Sequence, residues 1–151
     1  MKLTIAGGSG FVGRHLAAAL GARGDAVKVT SLRDMDKAAR YCAGADVVVN
    51  LAGAPIAKRW TRAYKLEIRR SRVELTRALI ERIARFDRKP MAYVSASAIG
   101  YYGMSRTETF IETSLHGDDF LARVCVEWEH EAGRASELGI RVAIVRSGIA
   151  L

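Results

Sequence analysis

No apolar run in the 151 residues approaches the roughly 20 needed to cross a bilayer as a helix. No leader is visible either. "MKLTIAGG" runs straight into a strand and a turn, without the longer apolar stretch and small-residue cleavage site of a secretory signal, so the expected location is cytoplasmic and no membrane partner is expected. Two cysteines, Cys42 and Cys125, cannot build a disulfide framework. His15, His116 and His130 are scattered, and no Cys/His spacing fits a zinc site, so no metal is expected. There is no internal repeat, low-complexity tract or linker, which leaves one domain over residues 1–151.

Acid is scarce. The chain carries 24 Lys and Arg against 16 Asp and Glu, a net charge of +8. Much of the excess falls in "KRWTRAYKLEIRRSR", residues 58–72, where Glu67 is the sole acid among Lys58, Arg59, Arg62, Lys65, Arg69, Arg70 and Arg72. The simplest reading is a solvated helix face. An alternative is an electropositive rim that attracts a phosphorylated ligand. Duplex nucleic acid is disfavoured because no recognition motif accompanies the charge.

What is present is an alternation. "KLTIA" is a short apolar strand, and after "GGSG" a helix follows with Val12, Leu16 and Leu20 at helical spacing, closed by Gly24. "AVKVTSL" at 26–32 is a second strand, then a connector with room for one short helix. "DVVVNLAG" at 46–53 is a continuous β-branched run, as expected of a strand buried on both faces. A long helix is expected over 61–86, with Ile68, Leu75, Leu79 and Ile83 on one stripe and Pro90 beyond it. "MAYVSAS" at 91–97 and "IRVAIVRSG" at 140–148 are the fourth and fifth strands, with a helix over 119–138 between them. On this helix Phe120, Leu121, Val124, Cys125, Trp128 and Ala132 share an apolar face. Asp118 and Asp119 start it, and Glu129 and Glu131 are expected to face water. Strands alternating with helices give an α/β fold, a Rossmann-like doubly wound parallel sheet of about five strands with helices on both faces.

Gly7, Gly10 and Gly13 form G-x-x-G-x-x-G between the first strand and the first helix, which is the context that gives such a pattern meaning. The first glycine allows a tight turn, the second a close approach of backbone to a pyrophosphate, and the third close packing of helix on strand. The helix N-terminus supplies free N–H groups and partial positive charge. Ser9, Phe11 and Val12 belong to the same cofactor-binding turn. The second strand is followed by Arg33 and then Asp34. An acid at such a position suits a ribose 2′-hydroxyl and an arginine suits a 2′-phosphate. Arg33 comes first, so NADP is preferred over NAD.

"GGSGFVG", "NLAGAPIAKRWT", "SASAIGYYG", "DDFLARVCVEWE" and "RVAIVRSGIAL" occur in that order. Together they resemble the N-terminal half of the atypical extended short-chain dehydrogenase/reductases of the sugar-nucleotide epimerase-like, or SDR39U1/YfcH-like, group. The resemblance implies that Leu51, Ala52 and Gly53 border the ribose and pyrophosphate, that Ser95 lies near the nicotinamide ribose, and that Ser147, Gly148 and Ile149 lie by the nicotinamide. It places Ser97 where the broader superfamily keeps a catalytic Ser or Thr. That superfamily also carries Tyr-x-x-x-Lys on the helix over 119–138. The matching positions here are Leu121 and Cys125, and neither moves a proton at neutral pH. The short stretch before "DVVVN" implies strand order 2-1-3-4-5. The C-terminal substrate-binding part of the family is absent from this sequence.

Tyr101 and Tyr102, just past the fourth strand, are the remaining proton-donor candidates, supported by Ser97. The reading is therefore an NADP-binding oxidoreductase or epimerase of unknown small-molecule substrate. The alternative is a catalytically inactive dinucleotide-binding or regulatory module, a role linked to cell division in some relatives. A basic nucleic-acid-binding domain ranks last. The group's habit of pairing helices like 61–86 and 119–138 across an axis implies a homodimer.

Overall fold

Five parallel strands form one sheet in the order β2-β1-β3-β4-β5, as the short second connection implied. A computed structural model describes residues 1–149, so the last two residues of the final motif lie outside the described residues. The first strand β1 (Lys2–Ala6) pairs with β2 (Ala26–Thr30) on one side and with the central strand β3 (Val47–Asn50) on the other. β4 (Ala92–Ala98) and β5 (Arg141–Ser147) extend the sheet beyond β3.

The topology fixes which face each helix covers. Right-handed crossovers place α1 (Phe11–Ala22) on one face. They place α2 (Met35–Cys42), α4 (Leu75–Ile83) and α5 (Phe120–Gly133) on the other. The main core lies under these three helices, where Leu32, Ala38, Cys42, Val48, Leu79, Ile80, Ile83, Tyr93 and Ala132 cluster. Each large side chain fully buried there contributes roughly 1.5–3 kcal/mol. The opposite face has α1 alone. Ile5 is sealed, but Val94 and Ala96 are half-buried and Val145, in register with Ala96, is exposed.

Local signals explain most helix ends. Asp34 caps α2 by accepting from the Lys37 N–H at 3.0 Å. Asp119 does the same for α5 through the Ala122 N–H at 2.9 Å. Gly24 follows α1 at φ +84, beyond the reach of most side chains. Three expectations are corrected. The helix expected over 61–86 is continuous from Arg62 to Ile83 but not uniform: α3 (Arg62–Arg69) passes through a π-helical turn (Arg70–Glu74) into α4. Strand pairing also ends early, at Thr30 and at Asn50. Gly7 φ +79 turns the chain there, and residues 51–53 leave the ladder to pack on it. The final helix is α only to Gly133 and tightens into a 3₁₀ turn (Arg134–Leu138).

Candidate functional site

The carboxyl ends of β1, β2 and β3 meet at the glycine turn. Gly7 donates its N–H to Thr30 O at 2.9 Å, and Gly10 donates to Gly7 O at 3.0 Å. A Cβ on Gly7 would stand 2.7 Å from Ala52 N and Leu51 C. One on Gly13 would stand 2.5 Å from Gly8 Cα and 2.6 Å from Gly7 O. The tight turn and the close helix packing expected of these two glycines are both present. Gly10 is the cap of α1 and offers no side chain to its donors. Gly8 was not anticipated. Its Cβ would meet Val29 Cγ1 at 2.6 Å, so the second glycine of "GG" lets the turn lie on β2.

This end of α1 is rich in unused donors. The first helical bond into the cap runs from Arg14 N to Gly10 O, and the N–H groups of Phe11, Val12 and Gly13 have no acceptor among the described residues. No acidic residue lies in the first turn. Ser9 is exposed beside it. Thr30 Oγ1, buried at the end of β2, also has no partner among the described residues. Such a helix start is an anion site in waiting. Beyond β2, the Asp34 carboxylate is occupied by its cap bond, while Arg33 is exposed and makes no ion pair among the described residues.

Below this rim, Asn50 anchors the ends of β3 and β4. Its amide donates to Thr76 Oγ1 at 2.9 Å and to the Tyr93 hydroxyl at 3.0 Å. Trp128 Nε1 donates to the same Thr76 oxygen at 3.1 Å. Asn50, Thr76 and Tyr93 are fully buried, and burial pushes the Tyr93 phenol far up. Asn50 Oδ1 in turn accepts from the Ala52 N–H at 3.1 Å, which fixes the start of the Leu51–Gly53 segment. The only hint in the sequence was a polar residue ending a run of valines.

The other half of the site, around β4, α5 and β5, is closed. Ser95 is buried and donates to Ala96 O at 3.1 Å. Ser97 is 3% exposed, and its hydroxyl donates to Glu129 Oε1 at 2.5 Å. Glu129 also accepts Arg146 Nε and Nη2, both at 2.8 Å, so it does not face water as expected. Its flank of α5 lies against the end of β5. Glu131 is likewise buried, paired with Arg77 at 2.7 Å and Arg134 at 2.9 Å, because α4 occupies the side where water was expected. The Arg77 hydrogen bond, more than any other contact, holds the Glu131 carboxyl below its ordinary range.

Tyr101 and Tyr102 lie on a 3₁₀ turn (Ile99–Tyr102) directly after β4. The Arg146 guanidinium covers the Tyr101 ring at 3.5 Å and donates to the Tyr102 hydroxyl at 2.9 Å. Hydrogen bonding to Glu129 first, and then to Tyr102, raises Arg146 further above the usual guanidinium range. Thus Ser97, Tyr101 and Tyr102 are brought into one cluster by two residues, Glu129 and Arg146, that the sequence did not single out. Leu121 packs near Gly100, and Cys125 is 4% exposed. Burial pushes the Cys125 thiol up, so neither position supplies a proton. Ser147 donates to Ser97 O at 3.2 Å, and Gly148 and Ile149 are exposed at the same end of the sheet.

Comparison with known proteins agrees with this geometry. Residues 3–148 match the NAD dependent epimerase/dehydratase family. The chain is 37% identical to the Arabidopsis thaliana chloroplastic epimerase family protein SDR39U1 homolog, covering all of this chain and 49% of that protein. It is 34% identical to the Bacillus subtilis epimerase family protein YfhF, covering all of this chain and 55% of that protein. It therefore spans about half the length of these relatives. A structure of the human epimerase family protein SDR39U1 with NADPH superposes with a TM-score of 0.86 at 32% identity, over 100% of this chain and 55% of that one. A nucleoside-diphosphate sugar epimerase from Corynebacterium glutamicum superposes at 0.81 with 38% identity, over 99% and 34%. The glycine turn, the sheet order and these matches converge: the chain belongs to the NAD-dependent epimerase/dehydratase family, within its SDR39U1-like branch.

Proposed function

We propose that the chain is the NADP(H)-holding half of an oxidoreductase or epimerase that acts on a small carbonyl or sugar-type substrate. The observation that carries this reading is the start of α1. Three consecutive N–H groups, those of Phe11, Val12 and Gly13, have no acceptor among the described residues and no acid in their helical turn. The residues fit a dinucleotide diphosphate: Gly7, Ser9, Gly10, Phe11, Val12 and Gly13 surround it, and Leu51, Ala52 and Gly53 form the opposite wall. Arg33 meets the 2′-phosphate. Ser95 contributes its place on β4 under the ribose rather than a free hydroxyl. When bound, the cofactor supplies hydride transfer. The protein's part is to hold it, shield it and place a proton at Tyr102 Oη. Arg146 orients Tyr102, and Ser97 and Glu129 orient Arg146.

Cofactor choice is tested by titrating NADPH and NADH against the folded chain. NADPH should bind more tightly. Arg33→Ala should weaken NADPH about tenfold or more, the scale of a lost charge-assisted hydrogen bond, and leave NADH unchanged. Equal affinities in the parent chain, or an unmoved NADPH affinity in the variant, contradict the assignment. In a full-length relative, Tyr→Phe at the position of Tyr102 should lower substrate-dependent NADPH turnover, and unchanged turnover removes the proton role. The pairing of α3, α4 and α5 across a dimer axis is a further part of this proposal. It predicts a dimer in sedimentation, and a monomer at high concentration contradicts it.

A further inference from the structure

A cation with no carboxylate partner among the described residues sits beside the β3 exit. Arg72 projects from the π-helical turn toward the Gly53–Ala54 backbone, donating from Nη2 to Ala54 O at 3.0 Å. Its Nη1 makes long contacts of 3.3 Å to Ile68 O and 3.4 Å to Ser71 Oγ. The guanidinium carries five N–H donors, and Nε and one Nη2 hydrogen have no acceptor among the described residues. The side chain is half-buried and lies over the Trp128 ring at 5.5 Å. No carboxylate forms an ion pair with it among the described residues. The two arginines nearest it in sequence differ. Arg69 pairs with Glu74 and Glu127, and Arg70 with Glu67.

Two backbone close approaches place this cation relative to the glycine turn. Gly7 is pressed against Leu51 and Ala52, and Gly53 against Arg72, where a Cβ would stand 2.9 Å from Cζ. Two extended residues span at most about 7 Å, so the guanidinium and the glycine turn flank one short segment, 51–53. Ser71 holds that segment from below by accepting the Ala54 N–H at 2.9 Å. A half-buried cation lacking a counter-ion costs stability unless an anion completes it.

We propose that Arg72 is a second anchor for the cofactor's diphosphate, approaching from the β3 exit while the α1 N–H groups approach from the glycine turn. The π-helical turn is the device that aims it. The proposal rests on the cofactor reading above and extends it to a residue outside the glycine motif. The ligand chemistry is a phosphate-type anion, and the source is the dinucleotide rather than a phosphorylated substrate.

The test compares two nucleotides by calorimetry. 2′-Phospho-ADP-ribose keeps the diphosphate and lacks nicotinamide, and adenosine 2′-monophosphate lacks the diphosphate. Arg72→Gln should weaken 2′-phospho-ADP-ribose about tenfold or more and leave adenosine 2′-monophosphate unchanged, with Arg72→Lys intermediate. Equal binding of 2′-phospho-ADP-ribose by the parent chain and a folded Arg72→Gln overturns the Arg72 assignment and leaves the cofactor reading intact. Equal loss of both nucleotides assigns Arg72 to loop support and also overturns it. Failure of the parent chain to bind either nucleotide sinks the cofactor reading itself. Should the glutamine variant not fold, the Arg72 Nε–H resonance of the parent chain decides: it should shift on saturation with 2′-phospho-ADP-ribose, and an unmoved resonance overturns the proposal.

Discussion

The two ends of the ligand side differ in how their polar groups are used. At the glycine turn, donors are left over: the first N–H groups of α1, exposed Arg33, and half of the Arg72 guanidinium. Around β4, α5 and β5 the polar groups are engaged with each other. Ser97, Glu129, Arg146 and Tyr102 form one connected set, and Asn50, Thr76, Tyr93 and Trp128 another. Unpaired donors are tolerated where a ligand completes them, and pairing rigidifies the frame that presents them. The same sheet thus carries an open receiving end and a locked supporting end. Leu121 and Cys125 of α5 fall in the locked part, half-buried and buried respectively, and the Tyr102 hydroxyl with its Arg146 neighbour lies on the turn after β4.

The contrast can be broken at either end. Gly13→Ala attacks the receiving end most sharply, since the new Cβ meets backbone at 2.5 Å and 2.6 Å with no flexible side chain to yield. It should reduce NADPH affinity by about 100-fold, equivalent to the upper part of the roughly 1–3 kcal/mol typical of overpacking; titration of the variant checks this. Thr76→Val attacks the locked end. It removes the acceptor shared by Asn50 and Trp128 and should cost about 2 kcal/mol in denaturant unfolding. NADPH affinity should stay within about twofold, on the order of the scatter between independent sites.

The smallest expected effect concerns Glu131. Its folded pKa lies below the ordinary 4.5, chiefly through Arg77. The stabilisation is therefore present above pH 4.5 and fades as pH falls through the lowered folded value. Glu131→Gln should lose about 1 kcal/mol at pH 7, discounted because both arginine partners reach solvent. The difference from the parent chain should vanish on acidification. A gap that persists at low pH contradicts the ionic origin.

Much of the fold was legible because its signals are local or periodic. The valine run of β3, the glycine punctuation and the short second connection sufficed for five parallel strands in their observed order. The acidic start of α5 at Asp118 and Asp119 was legible too, with Asp119 as the capping residue, whereas the Asp34 cap of α2 was not read from the sequence. The π turn joining α3 to α4 was not legible, since the spacing of Ile68, Leu75 and Leu79 also reads as plain α-helix. In the site, Gly7 and Gly13 could be assigned because only a residue without Cβ fits. Glu129, Arg146, Asn50 and Arg72 escaped because these partners lie 17 to 44 residues away in sequence and meet only in the folded chain. Helical spacing alone put Glu129 and Glu131 toward water, whereas neighbouring elements covered both.

The central claim, that the amides opening α1 grip a dinucleotide diphosphate, is tested most directly by amide resonances of the isotopically labelled chain during NADPH titration. The signals of Gly10, Phe11, Val12 and Gly13 should shift together and saturate, while those of the Glu131 pair hold still. A well-dispersed spectrum in which these four resonances remain in place as NADPH is raised to millimolar levels would contradict it.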